Sequence, residues 1–591
     1  MRVLREISTG ANTFMSSQLT MRSILTGLVI GGLLTPCNVY SGLKIGWSFN
    51  MSILAALLSY GLWAAFSRVT GAPEWSMQES VYSQTSASAA ASIISGGLVA
   101  PIPAYTMITG LTLSASILIL WVFLVSLLGV LVAVGLRHQM LVTENLVFPV
   151  GVATAETVRD IHESSGHGRR KLLALFIASI LAFSQKLISE FWMVLPKMPF
   201  LPSFNGLLGG LKLSAKKLGL VLDPSLLMVG FGMIMGFRSG LSMLFGALIC
   251  WLGIVPMIIS KGFQDFDANG EYIFGSVVGW TLWPGVGLMV SASITTFLLS
   301  VGRSILKKKT AFKKLPENFL WQPRFLGALS VFAVVLAAAQ YFIFSISWGT
   351  GVLAVLASVL LGVVSSRVTG ETGIAPIGAL GKVTQLSFGF MNPGQIATNL
   401  MTANVTGGAA GQSSDLLHDL KAGLLLQVNH YHQVIAQCFG IAMGALVGTM
   451  VYLFLIPDPA KQLLTDEWPA PAVATWKSVA DLVAKGSEAF PLGAQEALWI
   501  SLILGITMAL VEGWMPKKMR LFWPSASAMG LAFIIPAWTS LTLFVGSLLA
   551  LVIHRLHSRF AKMFVLVIAA GLVTGESLAG VVSVVLKALW H

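Results

Sequence analysis

The sequence predicts an all-α polytopic membrane protein of about 14–16 transmembrane helices, some broken or re-entrant, in two repeat-related halves. Three observations predict it. Of 591 residues, 55% are hydrophobic and only 10% charged, against about 25% charged in a soluble domain. Apolar runs close to the roughly 20 residues that span a bilayer recur from end to end. The pentapeptide Ser67-Arg68-Val69-Thr70-Gly71 also returns letter for letter as Ser366-Arg367-Val368-Thr369-Gly370. A water-soluble chain of this composition would carry more apolar surface than one core can hide, which excludes soluble single-domain enzymes, disordered chains and disulfide scaffolds.

Full spans are expected over Ser23–Leu43, Gly46–Phe66, Leu111–Leu136, Leu172–Leu195, Ser225–Phe237, Leu241–Ile259 and Gly275–Val301. They continue over Phe325–Phe344, Gly349–Val364, Tyr431–Ile456, Glu496–Trp514, Trp538–Ile553 and Phe564–Leu589. Shorter pieces rich in small residues are expected as broken or re-entrant segments: Gln84–Val99, Val142–Thr157, Ile374–Phe390, Ala397–Ser413 and Phe522–Pro536. The repeat divides the chain into an N-terminal half, 1–302, a basic connection, 303–324, and a C-terminal half, 325–591. Each copy of the pentapeptide follows two apolar spans, and a hydroxyl-rich run follows each. Phe148-Pro149 then resembles Trp523-Pro524 in opening a small-residue run.

Charge sets the orientation. There are 37 Lys and Arg against 24 Asp and Glu, a net +13. The basic residues sit in short connections between apolar runs, as the positive-inside rule expects, and not in a nucleic-acid-binding patch. Arg2, Arg5 and Arg22, the group Arg159 to Lys171, the group Arg303 to Arg324, Lys517 to Arg520, and Arg555 to Lys562 are therefore placed on the cytoplasmic side. Both pentapeptides then fall on that side, which favours same-sense halves. The connection 457–491, with acids balancing its lysines, lies opposite. No apolar core with a cleavage site occupies the first 22 residues, so no cleaved signal peptide is expected. Cys37, Cys250 and Cys438 lie in apolar runs and form no disulfide or metal motif. The paired histidines His430 and His432, and His554 and His557, lack the partners of a metal site.

Polar residues inside apolar segments mark candidate chemistry, because an unpaired polar group in lipid costs several kcal/mol. Asn38, Tyr40 and Lys44 lie in a helix bent by Pro36 and Gly42, with Tyr40 and Lys44 one turn apart. Lys44 is placed either to hold a substrate carboxylate or to snorkel to the interface beside Trp47. Glu144 and Glu156 bracket a piece that opens with Pro149. Both are placed to bind and release a proton, and the alternative for Glu144 is an aqueous loop where it caps a helix. The richest cluster runs from Arg367 and Glu371 through Lys382 and Gln385. It continues as the glycine-rich stretch Asn404 to Lys421, which holds Gln412, Ser413 and Asp415. That stretch is either a backbone-lined polar site or tight small-residue packing. It is not a Walker A loop, and no zinc-protease, serine-hydrolase or paired-aspartate motif appears.

Six stretches together resemble one family. They are Gly31–Trp47 with its Asn-x-Tyr-x-Gly-Leu-Lys-x-Gly-Trp core, Asn145–Glu156, Trp283–Met289, Gly378–Gly389 with Gln412–Leu425, Gly236–Met243, and Gly575–Gly580. The combination resembles the oligopeptide transporter family, which includes the yellow-stripe-like metal-chelate transporters. The short loops and Gly236–Met243 look like its bacterial branch. The resemblance implies proton-driven secondary import, by alternating access, of small peptides or peptide-like metal chelates. It implies a bacterial cytoplasmic membrane, and the Lys and Arg distribution above puts the N-terminus in the cytoplasm.

On that reading Asn38, Tyr40, Lys44, Gln385, Asn404, Gln412 and Ser413 hold the substrate. Glu144, Glu156, Glu371, Asp415 and Glu576 are the candidates for proton coupling. No cofactor or protein-held metal is expected, and a metal would arrive inside its chelate. The partners are the cargo, protons and lipid, with no nucleic acid; the large apolar periphery is compatible with a homodimer. Two rivals are an intramembrane enzyme such as a lipid-linked transferase, for which Asp415 and Asp419 at i, i+4 are the nearest acidic pair, and a passive channel.

Overall fold

In lipid a helix satisfies its own backbone, so each apolar run folds as a helix or as pieces of one. The computed structural model describes residues 19–590 except 47–49, 164–166, 194, 201–206, 209–210, 213, 264–271, 308–322, 374 and 521–522. Arg2, Arg5, Trp47, Lys308, Lys309, Lys313 and Lys314, and the first residues of two apolar pieces, Ile374 and Phe522, lie outside the described residues. Among the described residues 13 helical segments are long and apolar enough to cross a membrane. Among the described residues strand is limited to two antiparallel two-residue pairings, Met198–Pro199 with Val221–Leu222 and Leu207–Leu208 with Leu211–Lys212. The chain is an all-α integral membrane protein, as its composition predicts.

The first helices are α1 (Met21–Ile45), α2 (Ser52–Thr70), α3 (Met77–Ala91), α4 (Pro101–Thr109), α5 (Ala115–Arg137) and α6 (Pro149–His162). Next come α7 (His167–Phe191), α8 (Leu226–Met235), α9 (Phe237–Leu248), α10 (Val255–Ser260) and α11 (Phe274–Lys307). They are followed by α12 (Pro323–Phe344), α13 (Trp348–Thr372), α14 (Ile377–Met391), α15 (Ile396–Leu425) and α16 (His430–Leu455). The chain closes with α17 (Pro471–Lys485), α18 (Ala494–Trp514), α19 (Ala526–Ile534), α20 (Ala537–Leu556) and α21 (Leu566–Trp590).

These helices pack into two interwoven bundles. In the first, α3 lies against α1, α2 and α16, while α15 lies against α3, α5, α6, α13, α14 and α16. In the second, α11 lies against α18 and α19, α20 against α8 and α9, and α21 against α7 and α8. Each bundle therefore draws on two separate stretches of the chain, the first on helices within 21–162 and 323–455 and the second on helices within 167–307 and 494–590. They meet where α1 touches α21 and α11 touches α14. Helix α17 sits over the junction, against α1, α4, α14 and α15 of one bundle and α11 and α19 of the other.

Several breaks fall where small or imino residues stop a helix. A 3₁₀ turn, Ser92–Gly96, ends α3, and Gly97 at φ +115° turns the chain into α4. Asn145 and Phe148 take φ of +45° and +47° before Pro149 opens α6. Side chains reach that region only at some strain, and the Phe148 amide is held there by the Gly370 carbonyl at 2.9 Å. Ile535 and Pro536 separate α19 from α20.

Three expectations need correction. Ser225–Phe237 is not a full span: α8 has ten residues and ends at Gly236, φ +83°. Ala397–Ser413 is not broken, because it lies within the continuous 30-residue α15. Its glycines are contact points instead. A Cβ on Gly408 would lie 2.6 Å from the Ser95 carbonyl oxygen and the Val125 side chain, and one on Gly411 2.8 Å from Ile377. Helix propensity measured in water lowers the prior for such a run, and close helix packing overrides it. Connection 457–491 is more than a loop, since it contains the largely buried α17.

The crossing of α8 and α20 is glycine on glycine. A methyl on Gly232 would overlap the Leu543 carbonyl oxygen, and one on Gly546 the Val229 carbonyl oxygen. Neither obstacle is a movable side-chain tip. Gly232→Ala and Gly546→Ala are each expected to destabilise the protein by about 1–3 kcal/mol, read as a lower unfolding midpoint in detergent. The same change at Gly253, which has open space around it, is expected to leave the midpoint unchanged.

Candidate functional site

Helix α15 organises the first bundle because it has no apolar face. Thr398, Asn399, Thr402, Asn404, Thr406, Gln412, Ser413, Ser414, His418, Asp419 and Lys421 are all buried along it. Each must find its partner inside the protein. Toward its C-terminal end stand two carboxylates one turn apart, Asp415 and Asp419. The Ser52 hydroxyl donates to Asp419 Oδ1 at 2.7 Å and lies 2.9 Å from the Ser88 hydroxyl. Asn50 Nδ2 donates to Asp415 Oδ1 at 3.4 Å, and Asn50 Oδ1 accepts from the Ser52 amide at 2.9 Å. Ser52 opens α2, so the positive end of that helix is aimed at the acidic pair. Gln84 of α3 lies beside the Asp419 carboxylate. Asp419 Oδ2 and Gln84 Oε1 are buried without a hydrogen bond. Gln433 of α16 closes the group, donating to the Asp419 carbonyl at 2.9 Å and to Thr85 Oγ1 at 3.3 Å.

A second polar group fills the break between α3 and α4. Asn404 Oδ1 accepts from Trp121 Nε1 at 2.8 Å, and its Nδ2 donates to the Ser95 carbonyl at 3.4 Å. Gly97 leaves room for that amide, since a Cβ there would lie 2.7 Å from Asn404 Oδ1. The Ser95 hydroxyl donates to Gln412 Oε1 at 3.4 Å, whereas Gln412 Nε2 is buried without a partner. Ser413 turns its hydroxyl back to the Ala410 carbonyl of its own helix, at 3.0 Å.

The third group lies beneath connection 457–491. Gln385 Nε2 donates to Asn399 Oδ1 at 3.0 Å and to the Trp476 carbonyl at 3.1 Å, and Gln385 Oε1 accepts from Lys382 Nζ at 3.2 Å. The Tyr40 ring meets Trp468 edge-on with centroids 5.4 Å apart, and Lys44 Nζ lies 4.7 Å from the Trp468 ring. Lys44 also donates to the Glu467 carbonyl. Asn38 Nδ2 donates to the Ala91 carbonyl at 3.0 Å, tying α1 to the end of α3.

The proposed coupling acids separate by environment. Glu576 of α21 is buried and accepts from the Ser225 hydroxyl and the Leu227 amide, both at 2.7 Å, at the N-terminus of α8. It stands at the meeting of the bundles, where Gly580 of the same helix abuts the Tyr40 ring. Glu144 pairs with Arg367 of the second pentapeptide and accepts from Gln139 Nε2 at 3.1 Å. Glu156 and Glu371 are exposed. The structure thus gathers Asp415 with Asn404, Gln412 and Ser413 on one helix, puts Tyr40 beside Lys44, and leaves Glu156 and Glu371 outside these groups.

Asp419, Gln84 and Ser52 were not assigned to the site from sequence, nor were Lys382, Trp468 and Trp476. For Asp419 the signal was available: an acid one turn from Asp415 in a stretch with few other charges. The tryptophans gave none, since they stand in the one long polar connection. Among the described residues no group of three or more His, Cys, Asp or Glu is placed to hold a metal ion.

The Glu144–Arg367 pair joins the α5–α6 break to α13, with side chains only 12% and 16% exposed. Removing one partner leaves a largely buried charge, a loss of about 3 kcal/mol. Glu144→Gln and Arg367→Gln are each expected to lower the unfolding midpoint in detergent, and the double variant is expected to lose less than the sum. Additive losses would mean that the two side chains do not interact.

Comparison with known proteins agrees with this architecture. The family model described as OPT oligopeptide transporter protein matches residues 18–587. YGL114W of Saccharomyces cerevisiae is 23% identical, over 96% of this chain and 95% of its own. The metal-nicotianamine transporter YSL2 of Arabidopsis thaliana is 24% identical, over 95% of this chain and 92% of its own. The metal-nicotianamine transporter YSL2 of Oryza sativa subsp. japonica is 26% identical, over 78% of this chain and 71% of its own. A membrane-embedded helical protein matched from end to end by this family's model is a transport protein and not an enzyme, and the chain belongs to the oligopeptide transporter family.

Proposed function

We propose that this protein is a proton-coupled symporter that imports small peptides or peptide-like metal chelates by alternating access, the two bundles moving against each other. The observation that carries the coupling is the acidic pair on α15. Asp415 and Asp419 lie one turn apart, and Asp419 is buried with one oxygen on the Ser52 hydroxyl and the other without a donor. A protonated carboxyl supplies an O–H of its own and removes a buried charge, so loading a proton stabilises this group and releasing it requires water. Glu144 is committed to Arg367, and Glu156 and Glu371 face outward. Glu576, at the bundle junction, is the second candidate.

The cargo class rests on the family and on relatives named as metal-nicotianamine transporters. Substrate contacts are proposed for Asn38, Tyr40, Lys44, Gln385, Asn404, Gln412 and Ser413, which line or brace the break in α3–α4 and the space beneath connection 457–491. The bacterial cytoplasmic membrane, with the N-terminus inside, remains the proposed setting.

The test is uptake into proteoliposomes of a labelled tripeptide and of a nickel–nicotianamine complex, with and without an inward proton gradient. Accumulation above the outside concentration is expected only with the gradient, and gradient-independent uptake would remove the coupling. Asp419→Asn is expected to abolish accumulation, a loss of at least tenfold, while cargo exchange across the membrane persists within about threefold.

A further inference from the structure

The cations on the face proposed as cytoplasmic are not used evenly. Arg22 pairs with Glu79, Arg159 with Glu163, Lys171 with Asp160, Arg238 with Glu512 and Arg367 with Glu144. One corner of the second bundle departs from this. There α20 ends at Leu556, and a short turn, Ser558–Phe560, with a π-helical turn, Ala561–Val565, leads the chain into α21. This stretch carries Arg555, Arg559 and Lys562, all exposed. It is a built turn, with the Phe560 and Phe564 rings 4.9 Å apart between centroids.

A second basic stretch converges on the same corner. Turn Ala561–Val565 touches α7, whose first turn carries the exposed Arg169 and Arg170. The register agrees: Gly571 of α21 abuts the Leu175 carbonyl of α7, and Gly575 abuts the Ser179 carbonyl. The two helices thus run side by side in the same direction, which brings Arg169 and Arg170 level with the end of the turn. Among the described residues none of these five cations makes an ion pair. The acids at the adjoining end of α6 are already engaged, Asp160 by Lys171 at 2.9 Å and Glu163 by Arg159 at 3.8 Å. Orientation in the membrane counts Lys and Arg whether or not they find acids, so it does not explain why these five are left without them. Like charges gathered at one corner repel until an anion joins them.

The surroundings indicate which anion. Four of the five cations are arginines, whose planar forks match the paired oxygens of a phosphodiester. Among them stand bare apolar side chains: Leu556 is 71% exposed and Leu173 of α7 61%. Cations beside exposed aliphatic groups at the end of membrane helices suit a molecule with a charged head and a hydrocarbon tail.

We infer that this corner is a binding site for an anionic phospholipid, its headgroup phosphate held by Arg169, Arg170, Arg555, Arg559 and Lys562 and its acyl chains bordered by Leu173 and Leu556. The lipid joins the start of α7 to the turn between α20 and α21. The site depends on residence in a membrane and not on what is transported.

The experiment uses the full chain, purified in detergent and stripped of lipid, with binding read by native mass spectrometry and by the unfolding midpoint. The probes are phosphatidylglycerol, phosphatidylcholine with the same acyl chains, and inorganic phosphate. Phosphatidylglycerol is expected to bind at least tenfold more tightly than phosphatidylcholine, with the difference shrinking as salt is raised. Inorganic phosphate is expected to give no protection. Arg559→Gln with Lys562→Gln, and separately Arg169→Gln with Arg170→Gln, are each expected to weaken phosphatidylglycerol binding by about tenfold. Arg68→Gln with Lys261→Gln removes two exposed cations elsewhere and is expected to leave it unchanged. Equal binding of the two lipids, wild-type binding by either corner variant, or an equal loss in the Arg68 and Lys261 variant would overturn the site. Protection by inorganic phosphate equal to that by phosphatidylglycerol would assign the cations to a soluble anion and overturn the lipid. A corner variant that melts earlier without lipid is judged against Arg559→Lys with Lys562→Arg, which keeps both charges and is expected to bind as the wild type does. Loss of binding there as well would mark a structural role and overturn the site.

Discussion

A thirty-residue helix with polar groups on every side, enclosed by a membrane protein, dictates most of what surrounds it. Lipid offers α15 neither donors nor acceptors, so its partners come from protein alone. The hydroxyl and amide face of α3, the opening turn of α2, Gln433 of α16 and the broken end of α3 all serve it. Without that demand α3 would be a poor membrane helix. Of its residues, Ser80, Ser83, Gln84, Thr85, Ser86 and Ser88 are buried: Ser80 against His162 of α6, Ser83 and Ser86 against Gly27 of α1, and Gln84, Thr85 and Ser88 toward the Asp419 group. The small residues have the complementary task of bringing backbones close enough for short polar side chains to reach.

The interwoven bundles follow from the same economy of burial. Glycine crossings fasten both bundles, and the first adds a set of buried hydrogen bonds around α15. Their junction holds the mixed chemistry: Glu576 at the N-terminus of α8, Tyr40 against Gly580, and α17 seated on both.

Fold class and membrane residence were readable directly from composition and run length, and the breaks at Pro149 and around Pro536 from imino residues next to apolar runs. The continuity of α15 was not readable. Glycine lowers helix propensity in water, and Gly407, Gly408 and Gly411 look like a break until their neighbours are known. The opposite error arose at Ser225–Phe237, where apolar content implied a full span but Gly236 at positive φ ends the helix early. Within the site, Asp415, Asn404 and Gln412 stood out because polar residues are rare in such segments. Lys382 stood in the same cluster but its surroundings were not legible, because its partner Trp476 is distant in sequence and lies in a connection that hydropathy treats as solvent-facing. Aromatic cover over a cation is a tertiary fact and leaves no local pattern.

Part of the hydroxyl face of α3 is covered by helices synthesised long after it. Gln433 and Thr85, which share a hydrogen bond, are 348 residues apart. While the chain emerges from the ribosome, α3 must therefore wait beside the insertion machinery, or in some other wet shelter, until α15 and α16 arrive. The polar helices of the first bundle are thus the ones a nascent chain is least able to leave in lipid unaided. The polar contacts of the first bundle are therefore complete only once α16 has been made.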